Sequence, residues 1–230
     1  YYGGNNGAEG FSCTTDGSGN VYLAGNTSST SNIAAGGHQS DLAGMLDCFL
    51  AKFNSAGVRS WATYYGGPEP DGEGRVATDN AGNVFLIGNT SSTSGIASGG
   101  HQETYGGGLR DGFVAKFNGD GQRLWGTYYG GSDDDLASSC AIDGSGNAYI
   151  AGRSGSQTGI AAGGFQNIHG GLSDAFLVKL NSGGQRLWGT YYGGSGADQG
   201  YGCAVNDDDH VFLAGTTPPG TGMADGGHQN

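Results

Sequence analysis

Apolar and polar positions alternate along this chain in short blocks. Pieces of five to seven residues, rich in β-branched and aromatic side chains, are cut off by Gly, Asn, Asp or Ser. One kind of piece ends in an acidic turn, as in Cys13-Thr14-Thr15-Asp16, and a second follows a Gly-Asn step, as in Asn20-Val21-Tyr22-Leu23-Ala24-Gly25. A third runs Asp47 to Phe53, and a fourth runs Arg59 to Tyr65. Blocks of this length and composition predict β-strands. The separators agree, because Asp16-Gly-Ser-Gly-Asn20 and Asn54-Ser-Ala-Gly57 tolerate positive φ and read as hairpin turns. No window shows the apolar spacing of a helix, and 51 glycines oppose one.

The four pieces recur as a set. Tyr-Tyr-Gly-Gly stands at Tyr1, Tyr64, Tyr128 and Tyr191, at intervals of 63, 64 and 63 residues. A period of this length marks a repeat architecture. The chain is expected to form one repeat domain over residues 1–230, with repeats near 1–63, 64–127, 128–190 and a partial one at 191–230. Four antiparallel strands per repeat predict an all-β, β-propeller-like array of four-stranded blades, about 63 residues each. Val21-Tyr22-Leu23-Ala24 is apolar on both faces, as a strand between two neighbouring sheets requires. The second and third strands are joined by a long loop, Asn26 to Leu46 in the first repeat. It carries Ile33-Ala-Ala-Gly-Gly-His38-Gln39, echoed at Ile96 to Gln102, Ile160 to Gln166 and Met223 to Gln229.

Three segments, Trp-Gly-Thr-Tyr-Tyr-Gly-Gly, Asp-x-x-Gly-Asn-x-Tyr-x-Ala-Gly and Asp-x-Phe-Leu-x-Lys, together resemble the SBBP family of bacterial β-propeller repeats. The resemblance covers essentially the whole chain. It implies a secreted or cell-surface repeat scaffold and brings no catalytic residues with it.

Charge narrows the function classes. Nine Lys and Arg stand against 21 Asp and Glu, a net charge of −12, which disfavours phosphate backbones and excludes nucleic acid as a partner. No apolar run is long enough for a membrane span. The composition fits export to an extracellular or cell-surface location. Lys52, Lys116, Lys179, Arg59, Arg123 and Arg186 all fall on third and fourth strands, where the expectation is protection of an exposed sheet edge. Cys13, Cys140 and Cys203 share one slot with Val76, which reads as a small apolar site. Cys13 and Cys48 would lie two strand spacings apart, roughly 9–10 Å, beyond the ~7 Å that a disulfide spans.

Several side chains are candidates for sites. His38, His101 and His228 sit in equivalent loops, but Phe165 fills the same slot, so an aromatic plug is expected rather than a metal ligand. Asp16 and Asp143 open loops with oxygen-bearing residues at alternate positions, a Ca2+ candidate weighed against plain turn chemistry. Asp133-Asp134-Asp135 and Asp207-Asp208-Asp209 are further cation candidates, weighed against solvated surface. Trp61, Trp125 and Trp188 are candidates to stack sugar rings, against the alternative of packing between sheets. Asn26 and Asn89 open N-glycosylation sequons. There is no nucleophile elbow, zinc-helix motif or phosphate loop, and no paired carboxylates stand out at recurring positions, so no enzyme activity is expected.

The fourth repeat has its first two strands and lacks the outer two. An open edge of this kind is expected to pair with another copy, and a head-to-tail contact that does not close produces a filament. The expected function is therefore a non-enzymatic, self-associating scaffold of an extracellular fibre, sheath or surface layer. A lectin-like or adhesive propeller that binds cell-surface glycans is the alternative.

Overall fold

A computed structural model of the chain describes residues 1–219. The Met223–Gln229 loop and His228 lie outside these residues. Fourteen strands and no helix are found among the described residues, so none of them forms a helix able to cross a membrane.

Sheet I consists of β1 (Ala8–Thr15), β2 (Val21–Thr27), β3 (Asp47–Phe53) and β4 (Arg59–Tyr65). Sheet II holds β5 (Asp71–Thr78), β6 (Val84–Thr90), β7 (Asp111–Phe117) and β8 (Arg123–Tyr129). Sheet III holds β9 (Asp135–Ile142), β10 (Ala148–Ser154), β11 (Asp174–Leu180) and β12 (Arg186–Tyr192). A two-stranded sheet IV follows, β13 (Gln199–Val205) with β14 (Val211–Thr216). Each four-stranded sheet is an antiparallel meander in sequence order. The strands match the predicted pieces because each is bounded by a turn of defined chemistry. Asp16 Oδ1 accepts the backbone N–H groups of Ser18 and Asn20, and Gly19 takes the left-handed conformation at φ 76°. Asp79 and Asp143 close the equivalent turns in the same way.

The long loop runs back along the outermost strand. Ala35 and Gln39 bridge to Ala62 and Tyr64 of β4, and Ala162 and Gln166 bridge likewise to Gly189 and Tyr191. Backbone bonds from the loop, not charged side chains, therefore shield that sheet edge. This corrects the edge-protection reading of the lysines and arginines. Ile33, Ile96 and Ile160 anchor the three loops in the core.

Sheets stack face to face in chain order, and alternate side chains of one strand serve two neighbours. Val84 and Leu86 of β6 meet Tyr22, Leu50 and Trp61 of sheet I. Phe85 and Ile87 of the same strand meet Ile150, Phe176 and Val178 of sheet III. Sheet IV covers Tyr149, Ala151 and Leu177 of sheet III through Cys203, Val205 and Leu213. Sheet faces apolar on both sides are the physical reason the central strands do not alternate in sequence.

Candidate functional site

The recurring chemistry lies where one sheet meets the next. Across the inner-to-outer strands of each sheet runs a row of aromatic, lysine and tryptophan: Tyr22, Lys52 and Trp61 in sheet I, Phe85, Lys116 and Trp125 in sheet II. Both polar ends of this row reach into the following sheet. Lys52 Nζ and Trp61 Nε1 donate to Gly119 O at 3.0 and 2.9 Å. Lys116 Nζ and Trp125 Nε1 donate to Ser182 O at 3.5 and 3.0 Å. The receiving turns must be glycine, because a Cβ on Gly121 would stand 2.6 Å from the Trp61 ring. The Trp61 and Trp125 ring faces are thus occupied by the next turn, with each residue 5% exposed, and neither is open to a sugar. Trp188 is partly exposed and pairs edge-on with Tyr149 at 6.1 Å.

Lys116 and Lys179 are largely covered rather than peripheral. Lys116 pairs with Asp79 at 3.3 Å and Lys179 with Asp143 at 3.2 Å, each above an aromatic ring at 4.8 Å. Asp79 and Asp143 are held below the usual carboxylate range, their burial being outweighed by bonds from the asparagine four residues on and from the lysine. Their oxygens accept from local donors, as do those of Asp16, which is the turn chemistry weighed against calcium.

Tyr-Tyr-Gly-Gly is a junction motif in which every residue has a separate task. The first tyrosine ties its own sheet, Tyr64 to Ser29 O, Tyr128 to Ser92 O and Tyr191 to Ser156 O. The second reaches the next repeat: Tyr2 donates to Ile33 O, Tyr65 to Ile96 O and Tyr129 to Ile160 O. Arg59, Arg123 and Arg186 donate to the same three carbonyls from within their own sheets. The first glycine faces a pair of aspartates. A Cβ on Gly66 would stand 2.7 Å from Asp47 Oδ1 and 2.6 Å from Asp71 Oδ2.

These aspartates recur as Asp47 with Asp71, Asp111 with Asp135 and Asp174 with Asp198, always 24 residues apart and fully buried. The expectation of no recurrent carboxylate pairs is corrected here. The constant spacing was the available signal, but the partners belong to different repeats. One member opens the third strand of a sheet, and the other opens the first strand of the next or, as Asp198 does, immediately precedes it. Backbone N–H groups of Gly67, Gly106, Gly131, Gly170 and Gly194 donate into the pairs, while Oδ1 of Asp111, Asp174 and Asp198 has no hydrogen-bond partner. Burial is the leading cause that pushes Asp71 up to about 6 and Asp111 up to about 7, with the neighbouring carboxylate adding to it. Full burial places these acids inside the junction, away from solvent.

Other candidates disperse. Asp133, Asp134 and Asp135 do not converge on an ion: Asp135 bonds Ser154 and Ser156, whereas Asp134 pairs with Arg153 at 2.6 Å. Asp207, Asp208 and Asp209 lie in the β13–β14 turn, where Asp209 is left-handed at φ 61°. His38 lies 6.3 Å from the Tyr65 ring and His101 6.3 Å from the Tyr129 ring. Phe165, in the same slot, is 85% exposed and plugs nothing among the described residues. No cluster of three metal-ligating side chains occurs among the described residues. Asn89 is 2% exposed and its amide bonds Glu73 and Ala137, so the folded protein offers no acceptor there. Asn26 is half-buried and accepts the Gly74 N–H. The four cysteines are free thiols, and burial pushes the Cys48 thiol up. No family model and no curated protein matches the chain.

Proposed function

We propose that the chain is a propeller-like array of SBBP-type repeats that serves as a non-enzymatic extracellular scaffold and associates with copies of itself. The observation that carries this reading is the bare face of sheet I. Val21 there is 38% exposed, whereas its counterpart Val84 is wholly covered by sheet I. Phe11 is also exposed on that sheet, and the Gly57 turn has nothing within 4 Å, although Gly121 and Gly184 cap tryptophans. A second copy that covers this face would repeat a junction the chain already builds. Met45, Leu109 and Leu172 add one exposed apolar group per repeat at an equivalent position, in keeping with an associating surface.

Electron microscopy of the native material tests the reading. Regular filaments or sheets are expected from the wild type, with assembly lost in Val21→Lys while the far-UV spectrum is kept. Dispersed particles at all concentrations would overturn it. The partly exposed Trp188 favours the glycan-binding alternative, for which saturable binding by a monomer, lost in Trp188→Ala, is the expected signature.

A further inference from the structure

Six of the nine lysines and arginines fill repeated positions, and the other three do not. Arg75 stands where other repeats have Ser12, Ser139 and Gly202. Arg110 stands where they have Leu46 and Ser173, and Arg153 where they have Asn26 and Asn89. These three exceptions come together at one place in the fold. Arg110 pairs with Glu73 at 3.4 Å and with Asp134 at 3.7 Å, and Arg153 pairs with Asp134 at 2.6 Å. Arg75 and Arg153 line a cavity of about 350 Å3 with Glu73, Ser138, Gln199 and Tyr201. Arg75 and Arg153 thus share one hollow among sheets II, III and IV, and Arg110 is joined to it through Glu73 and Asp134.

Three further observations point to a ligand. Arg75 has no ion pair among the described residues, and its Nε is buried without a hydrogen-bond partner. A buried guanidinium N–H left unpaired is costly unless an acceptor arrives. Glu73 is left-handed at φ 60° inside β5, a conformation uncommon for residues other than glycine, asparagine and aspartate. Its carboxylate is drawn aside, accepting from Asn89 Nδ2 at 2.7 Å and facing Arg110. Tyr201 donates to Gln199 Oε1 at 2.6 Å, which leaves the Gln199 amide hydrogens for another acceptor. The cluster holds three guanidiniums against two carboxylates, a local positive excess in a chain of net charge −12.

We propose that this cavity binds a small organic oxyanion, a carboxylate or a phosphate ester, with Arg75 as its anchor. The planar guanidinium fork suits either group. The cavity is larger than an inorganic ion needs and leaves room for the organic part.

Calorimetric titration of the full chain tests this with glucose 6-phosphate and glucuronate, which carry the two anionic groups on one ring, and with glucose as the neutral probe. Saturable binding of one or both anions, without binding of glucose, is expected, and the stronger of the two identifies the group. Arg75→Gln should weaken that binding roughly tenfold or more. Arg59→Gln removes one charge at the exposed start of β4, far from the cavity lining, and should change nothing. Glu73→Gln keeps every cation, removes a competing carboxylate and should tighten binding. Urea unfolding of each variant checks that it is folded. Equal losses in Arg75→Gln and Arg59→Gln, weaker binding in Glu73→Gln, equal binding of glucose, or no saturation by either anion would each overturn the proposal.

Discussion

Sheets I and II are built from nearly the same residues and differ in what surrounds them. Every residue of β6 and β7 in sheet II is buried, because sheet I lies on one face and sheet III on the other. In sheet I, β2 begins with an exposed valine and β3 ends with a half-buried Lys52 and Phe53. The same strand chemistry therefore yields a full core in one place and half a core in the other. A repeat of this kind stabilises itself mainly through its neighbours, so equivalent substitutions should have unequal effects.

The largest contrast is expected in the core. Phe117 is wholly buried between sheets I and II, whereas its counterpart Phe53 is half-buried and meets Tyr2 edge-on at 5.8 Å. Phe117→Ala should destabilise by about 3–5 kcal/mol and Phe53→Ala by roughly 1–2 kcal/mol, measured by urea unfolding. Equal losses would mean that inter-sheet burial does not decide stability here.

A smaller contrast sharpens the junction itself. Gly66 and Gly3 hold the same place in Tyr-Tyr-Gly-Gly, but a Cβ at Gly3 would meet only Ala8 Cβ, at 3.8 Å. Ala8 stands where the other repeats have Asp71, Asp135 and Asp198. Gly66→Ala should cost about 1–3 kcal/mol through overpacking, and Gly3→Ala should stay within about 0.5 kcal/mol. Similar effects at both would show that the aspartates do not dictate the glycine.

The smallest effect concerns the carboxyl pairs, which sheet I lacks on its bare side. Asp71 and Asp111 hold their protons in the folded state up to about pH 6 and about 7, and lose them near pH 4 when unfolded. Their stabilisation is present in full below pH 4 and is lost as pH rises from about 4 to about 7. The melting temperature should fall over that window. Asp111→Asn should flatten part of the fall and raise stability at pH 8 by about 1 kcal/mol, since an amide can donate to Asp135 where two carboxylates repel. A melting temperature that rises from pH 5 to pH 8 in the wild type would contradict this.

Strands, turns and the repeat were readable in the chain because their causes are local. A β-branched block, an Asp that caps its own turn and a glycine that takes positive φ act within a few residues of one another, as Asp16 to Gly19 do. The sites were not readable in the same way. Trp61 meets Gly119, Asp47 faces Asp71 across Gly66, and Arg75 and Arg153 line one cavity only because one sheet lies on the next. A lysine on β7 looked like edge protection, since its sequence neighbours cannot reveal that Asp79 and Ser182 close over it.

The sequence by itself determined the strand pieces, their turns, the period near 63 residues and the all-β class, all of them consequences of short-range backbone preference. Only the tertiary structure decided which residues became latches, which carboxylates lost their water and which arginines gathered around a cavity. Those outcomes depend on desolvation and direct contact between residues far apart in the chain, and neither exists until the sheets are stacked.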